Sequence, residues 1–545
     1  MKFLLLFLIC LGAVCLPGSI SMAQTGGESL FSKEMLQRHL QFLGSDLFEG
    51  RGTGAMGGNL AARYLALEFD KMKLIPPGNN SSYYQYVPMH GSISLPESKL
   101  VISGEHDTTT LAINRDYLLY KGGEQTFIPA PVQLVFAGYG IVAPEYDYND
   151  YQSIDVEGKI VVVLEGEPNS DDPAYFDGER PTIYSFPESK QRVAISRGAR
   201  GCIIIPSMYT NWEVQKQNFS FEDVTLAYSV TGNLGILLNP ASAEKLFKGS
   251  QYSYEEVFRM HLQNRITSFE LKTRLTFKGE FRERDFVSPN IAGIIEGSDP
   301  ALKDSYIIIS AHYDHLGIGT AVKGDSIYNG VFDNAAGTAA LLEIARVFSG
   351  LPVPPKRSIL FLLLTGEEKG LLGSAYYTEN PLVPLYKTAA DINIDGIALF
   401  DRFKSIIGIG AEYSTLKEYL LKTANANNVG ITEIPPQFQH YESFSKSDQI
   451  SFASAGIPSM LVSEGIDYVN ISKEEGLKQF INYSENIYHS PFDDLKQPMN
   501  LDAAVQHIKI IYDLCYMLAQ SDKTPEWYTG SPFINARLRS QAERK

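Results

Sequence analysis

Cysteine is scarce in this chain, four in 545 residues. Cys10 and Cys15 fall in the apolar leading segment, and Cys202 and Cys515 fall in the apolar runs GCIII and YDLCYML. That distribution excludes a disulfide-stapled scaffold and a cysteine-rich metal module, and it reads as two buried, unpaired thiols. Basic runs are missing as well. Lys and Arg number 47 against 63 Asp and Glu, giving a formal charge of −16 and a pI near 5.1, which argues against nucleic acid or an anionic membrane surface as the main partner. Beyond the leading segment no apolar run is long enough for a membrane-spanning helix, and there is no internal repeat or low-complexity tract.

What is present is a chain long enough for several domains whose 44% hydrophobic content suits full-sized cores. The opening MKFLLLFLICLGAVCLPGSISMAQ has a basic start at Lys2, an apolar run to about Leu16 and a small-residue site, Ser21-Met22-Ala23. This is the pattern of a signal peptide over 1–23, implying export to the periplasm or the medium. Cys15 after Gly12-Ala13-Val14 leaves a lipoprotein signal as the alternative, although Val14 fits that processing poorly.

Residues 24–125 read as the first part of the larger domain, with two helices between about Ser29 and Met72 split by GSDLFEGRGTGAMGG. That stretch is too glycine-rich for a helix interior and is expected to be a loop near the rim of the functional site. From 126 to 271 short apolar runs such as VQLVFAGYGIV, GKIVVVLEG, GCIIIPS and LGILLN predict an inserted, mainly β module. From 272 to 525 buried strands alternate with helices. SYIIISA, SILFLLLT and AADINID are continuous apolar runs typical of parallel strands covered on both faces. Alternation of this kind predicts an α/β fold, a three-layer α/β/α sandwich with a mixed, mostly parallel sheet. The tail, 526–545, is polar.

In such a sheet, ligands bind beyond the carboxyl ends of the strands. His312 follows SYIIISA, Glu367 and Glu368 follow SILFLLLT, and Asp395 ends AADINID. Asp333 in NGVFDNAAG precedes an Ala-rich helix at its expected cap position, and His489 lies in YHSPFDD. One such residue alone is readily a structural one. Several in one domain are hard to assign to packing, because unpaired buried carboxylates are costly. Two imidazoles and three carboxylates are the donor set for a pair of zinc ions if one carboxylate bridges them. Glu367 then remains as a general base. Asp314, two residues after His312, is either the carboxylate that orients the imidazole or a solvated loop residue; spacing leaves both open. His315 reads as a loop residue, and His440 is the least certain of the remaining histidines.

The ordered motifs HYDH, FDNAAG, TGEEKGLLGS, NIDG, SDQISFASAGIP and YHSPFDD resemble those of the co-catalytic di-zinc exopeptidase family that includes secreted bacterial leucyl aminopeptidases and glutamate carboxypeptidases. GYGIVAPEYDYNDYQSIDVEGKIVVVL resembles the protease-associated domain that many members carry as an insertion. The resemblance implies a zinc aminopeptidase-like fold, two Zn2+ ions (other divalent ions being possible) and peptide substrates. It implies that Asp333 bridges the ions, that His312 and Asp395 complete one site, and that Glu368 and His489 complete the other. Glu367 would be the base, Asp314 the orienter of His312, and Tyr488 either a phenol that polarises the scissile carbonyl or a packing residue. It also implies a cis Asp333–Asn334 bond. Gln449 stands where relatives often have His, which puts the pocket rim rather than the metal site in question. A carboxypeptidase or glutaminyl cyclase on the same framework, and a non-catalytic receptor-like relative, are the alternatives.

Overall fold

Residues 306–312 and 358–364 alternate their side chains between two cores, and this sets the architecture. In the computed structural model, Ile307, Ile309 and Ala311 with Ile359, Phe361 and Leu363 face one hydrophobic cluster, while Ile308, Leu360, Leu362 and Leu364 face another. Strands buried on both faces carry continuous apolar runs because successive side chains point to opposite sides. The first cluster is covered by the helices Met56–Lys71, Ala336–Ser349 and Leu501–Gln520, the second by Leu372–Glu379 and Gln449–Ser454. These are the three layers expected from sequence. The structure describes residues 27–119, 127–172, 174–176, 178, 182–230, 232–435 and 444–543. The signal peptide expected over 1–23 and His440 lie outside them. Among the described residues, no helix is long and apolar enough to cross a membrane.

The nine-stranded sheet has a parallel centre. Ser358–Leu364, Tyr306–His312, Thr388–Asn393 and Ser459–Glu464 run parallel in that order. Antiparallel strands flank them: Phe281–Ile295, Tyr84–Ser94 and Asp223–Leu226 on one side, Ser405–Ile409 on the other. The parallel centre brings the ends of three strands, and the residues just after them, to one edge.

An eight-stranded sheet carries the rest. Its strands Phe127–Phe136, Ile160–Leu164, Gly201–Ile205 and Leu234–Leu238 come from the region expected to be an inserted module, and Phe269–Lys278 runs past its expected end at 271. It also recruits Lys99–Ser103, Thr108–Leu111 and Tyr117–Leu119, which lie before residue 126. These strands are three to five residues long and only partly apolar, so they give little sequence signal. One strand from the same region, Asp223–Leu226, leaves for the larger sheet, pairing Leu226 with Met89 and Val224 with Gly91. The polar tail contains the helix Ile534–Ala542, where the buried Arg537 donates to the Thr388 carbonyl at 3.0 Å.

Candidate metal centre

Every metal-type side chain singled out in the sequence arrives at one place. His312 ends its strand, Glu367 and Glu368 follow Ser358–Leu364, and Asp395 follows Thr388–Asn393. Asp333 is central. Its Oδ1 lies 3.3 Å from Nε2 of His312, and its Oδ2 lies 3.2 Å from Nε2 of His489. Around the first contact, Asp395 Oδ1 is 3.2 Å from the same His312 nitrogen. Around the second, Glu368 Oε2 is 3.1 Å from the same His489 nitrogen. Donor atoms of His312, Glu367 and Asp395 also lie within 4.8 Å of one another, as do those of His312, Asp333 and Glu368. The arrangement is two half-sites sharing one carboxylate.

The turn that aims Asp333 is held by its neighbours. The helix Ala336–Ser349 starts after Ala335 with no side-chain cap from that residue, so Asp333 is not the cap expected from sequence; its carboxylate is turned to the two histidines. Asn334 caps the helix instead. Its Oδ1 accepts from the Gly337 amide at 2.8 Å and the Gly396 amide at 2.9 Å, and its Nδ2 donates to the Ile394 carbonyl. The Asp333–Asn334 bond is cis, as the resemblance implies. Asp493, the sixth residue of YHSPFDD, accepts from the amides of Phe332 at 2.9 Å and Asp333 at 3.0 Å. Gly330 has φ of 59°, and a Cβ there would meet the His315 ring at 2.4 Å, so only glycine suits the position.

Asp314 is fully buried, and its carboxylate is used differently from expectation. Its backbone carbonyl lies 3.2 Å from Nδ1 of His312, whereas its nearer carboxylate oxygen is 3.9 Å away. The carboxylate instead accepts the Thr53 hydroxyl at 2.7 Å and the Glu367 amide at 3.2 Å. It therefore ties the base-bearing turn to the glycine-rich loop. Arg51 is buried there and donates to the carbonyls of Tyr313, Asn329 and Gly330 at 2.8, 2.6 and 2.7 Å. Burial pulls its guanidinium down to about 10 despite Asp493, Asp333 and Asp314 nearby.

His315, read from sequence as a loop residue, is buried with Nδ1 2.6 Å from Glu368 Oε1. Its place in HYDH, three residues after a ligand-type histidine, was the available signal. Gln449 is buried behind the site, accepting from Asn393 Nδ2 at 2.8 Å and donating to the Phe444 carbonyl at 2.9 Å; it does not form the rim. Tyr488 is 47% exposed and stacks on His489, ring centroids 3.8 Å apart.

The electrostatics fit a cation. Burial disfavours charge on His489, yet Glu368 and Asp333 overcome it and raise its pKa to about 10. Burial would raise Glu368, but the histidines His489 and His315 hold it at about 2. Asp333, buried likewise, is pulled well below the usual carboxylate range by the imidazoles of His312 and His489 beside it. Glu367 goes the other way: burial, with Asp395, Glu368 and Asp448 nearby, pushes it well above its ordinary value against the pull of His312. The donor set also passes a geometric test. His489 Nε2 is within 3.2 Å of two carboxylate oxygens but is aligned for a hydrogen bond to neither, the disposition of a lone pair that shares a metal ion with those oxygens. Histidine and carboxylate donors without sulfur suit zinc and other divalent ions.

Next to the cluster is a cavity of about 500 Å3, lined by Asp333, Glu367, Asp395 and Tyr488 and by apolar side chains that include Phe332, Ile397, Phe400 and Leu461.

Residues 290–515 match the profile of Peptidase family M28, and this segment contains every donor residue and Glu367. Among curated relatives, a stretch of 114 residues is 40% identical to aminopeptidase NAALADL1 of Mus musculus, covering 20% of this chain and 13% of that protein. A stretch of 117 residues is 36% identical to transferrin receptor protein 2 of Homo sapiens, covering 21% of this chain and 13% of that protein. The chain thus matches only a small part of the length of these relatives. Of solved structures, the aminopeptidase from Aneurinibacillus sp. strain AM-1 shares the fold at 18% identity, with a TM-score of 0.56 over 91% of this chain and 96% of that one.

Proposed function

We propose that the chain is an exported two-metal aminopeptidase that hydrolyses N-terminal residues from peptides. The observation that carries this is Asp333, whose two carboxylate oxygens each face a different histidine at 3.2–3.3 Å. His312, Asp395 and Asp333 would hold one ion, and His489, Glu368 and Asp333 the other. When bound, two zinc ions supply carbonyl polarisation and acidification of a water. Glu367 accepts the proton of the attacking water and delivers it to the leaving amine. Asp314, fixed by Thr53, holds the amide of Glu367 and so the position of the base. Negative charge around the centre suits a free α-ammonium group on the substrate.

The sheet built from residues 99–278 is read as an inserted protease-associated module that shapes access to the centre. Export follows from the signal pattern over 1–23. A receptor-like, non-catalytic reading loses support because no donor is missing from the cluster. The test compares a dipeptide with a free amino terminus and its N-acetyl counterpart in the presence of zinc. An aminopeptidase turns over only the free form; equal turnover of both, or preference for the acetylated peptide, contradicts the proposal.

A further inference from the structure

The cavity beside the acidic cluster holds one carboxylate that the proposed chemistry does not use. Glu464 ends the strand Ser459–Glu464, opposite Ile406 in the antiparallel register, and lines the cavity together with Ile407, Ile409 and Leu461. Among the described side chains, the Ser463 hydroxyl meets its carboxylate at a long 3.5 Å. The other charged side chain of the wall away from the cluster, Lys446, is exposed and makes no ion pair with it among the described residues. Burial raises the Glu464 carboxyl above its ordinary value.

An acid set into an apolar wall is costly when it has no cationic partner. A long aliphatic side chain ending in a positive charge satisfies both parts of this lining: its methylene stem lies along apolar surface and its head meets the carboxylate. Neither leucine nor phenylalanine does so, since each would bury the carboxylate further without pairing it. We propose that this cavity receives the side chain of the substrate's N-terminal residue and that Glu464 selects lysine or arginine there. This rests on the aminopeptidase reading above and adds the class of residue removed.

The test measures kcat/KM of the zinc-loaded enzyme on the p-nitroanilides of lysine and norleucine, which share a four-carbon stem and differ in the terminal ammonium. Lysine is expected to be preferred by at least about tenfold, mainly through KM. Glu464→Gln is expected to bring the ratio to about one, while Glu464→Asp keeps a preference for lysine. If either variant fails to fold, the wild-type ratio alone decides. Norleucine turned over as well as lysine by the wild type, or a ratio unchanged in Glu464→Gln, overturns the assignment of Glu464 and leaves the aminopeptidase reading standing. No turnover of any aminoacyl anilide, leucine included, overturns both.

Discussion

Replacing Glu367 by glutamine tests the division of labour between two adjacent carboxylates. The side chain keeps its volume and loses its capacity to accept a proton. The backbone is held independently, since the Glu367 amide donates to Asp314 Oδ1 at 3.2 Å. Glu367 makes none of the contacts that pair Asp333 with the two histidines, so metal content is expected to stay at the wild-type level. A positioned general base contributes about 10²–10⁴ in rate, which corresponds to about 3–5 kcal/mol on the barrier. Turnover should fall by that factor with little change in KM. Stability should not fall, because the substitution removes one charge from a buried group crowded by Asp395, Glu368 and Asp448. Burial brings the neighbouring Asp448 carboxyl up to about 7; rescue through it would place the loss at the low end of the range. The assay is aminoacyl-anilide hydrolysis with metal content measured on the same samples. Near wild-type turnover by Glu367→Gln at full metal occupancy would refute the assignment of the base.

Further substitutions separate binding, turn geometry and stability. Glu368→Ala should weaken metal binding and regain activity with added zinc, in contrast to Glu367→Gln; a variant insensitive to zinc would count against Glu368 as a ligand. Asp493→Ala leaves the amides of Phe332 and Asp333 without their acceptor, at about 1–3 kcal/mol each, so urea unfolding should show a loss of about 2–6 kcal/mol; an unchanged midpoint contradicts the role given to Asp493. His507 is buried and neutral, its Nδ1 accepting from the Ala398 amide and its Nε2 donating to the Val462 carbonyl. Burial lowers its pKa to about 4, below the unfolded value near 6.5, so between these values the unfolded chain binds the extra proton. Its contribution is therefore present above pH 6.5 and is lost as pH falls, by about 3 kcal/mol once pH reaches 4. His507→Gln should flatten this part of the stability–pH curve, and an identical slope in the two proteins would contradict it.

Much of the centre was legible because it depends on short-range pattern. A continuous apolar run followed by His312, by Glu367-Glu368 or by Asp395 marks a strand end in a parallel sheet, and parallel strands share an edge for ligands. What holds those residues was not legible, because it comes from far away in sequence. Thr53 and Arg51 reach Asp314 and the Asn329 and Gly330 carbonyls across about 260–280 residues, and nothing local in a glycine-rich loop announces such partners. Asp333 was expected to cap the following helix; only the three-dimensional arrangement shows that Asn334 caps it and Asp333 faces the histidines. The start of the second sheet was missed for a different reason: Thr108–Leu111 and Tyr117–Leu119 are too short for an alternating pattern to stand out.

The central claim is that Asp333 joins two metal sites in a hydrolytic centre. The most direct measurement is an anomalous difference map from crystals of the active, zinc-loaded enzyme. The account predicts two zinc peaks, one beside His312 and Asp395 and one beside His489 and Glu368, each with an oxygen of Asp333 as ligand. A single peak in fully active enzyme, or two peaks with Asp333 bound to neither, would contradict it.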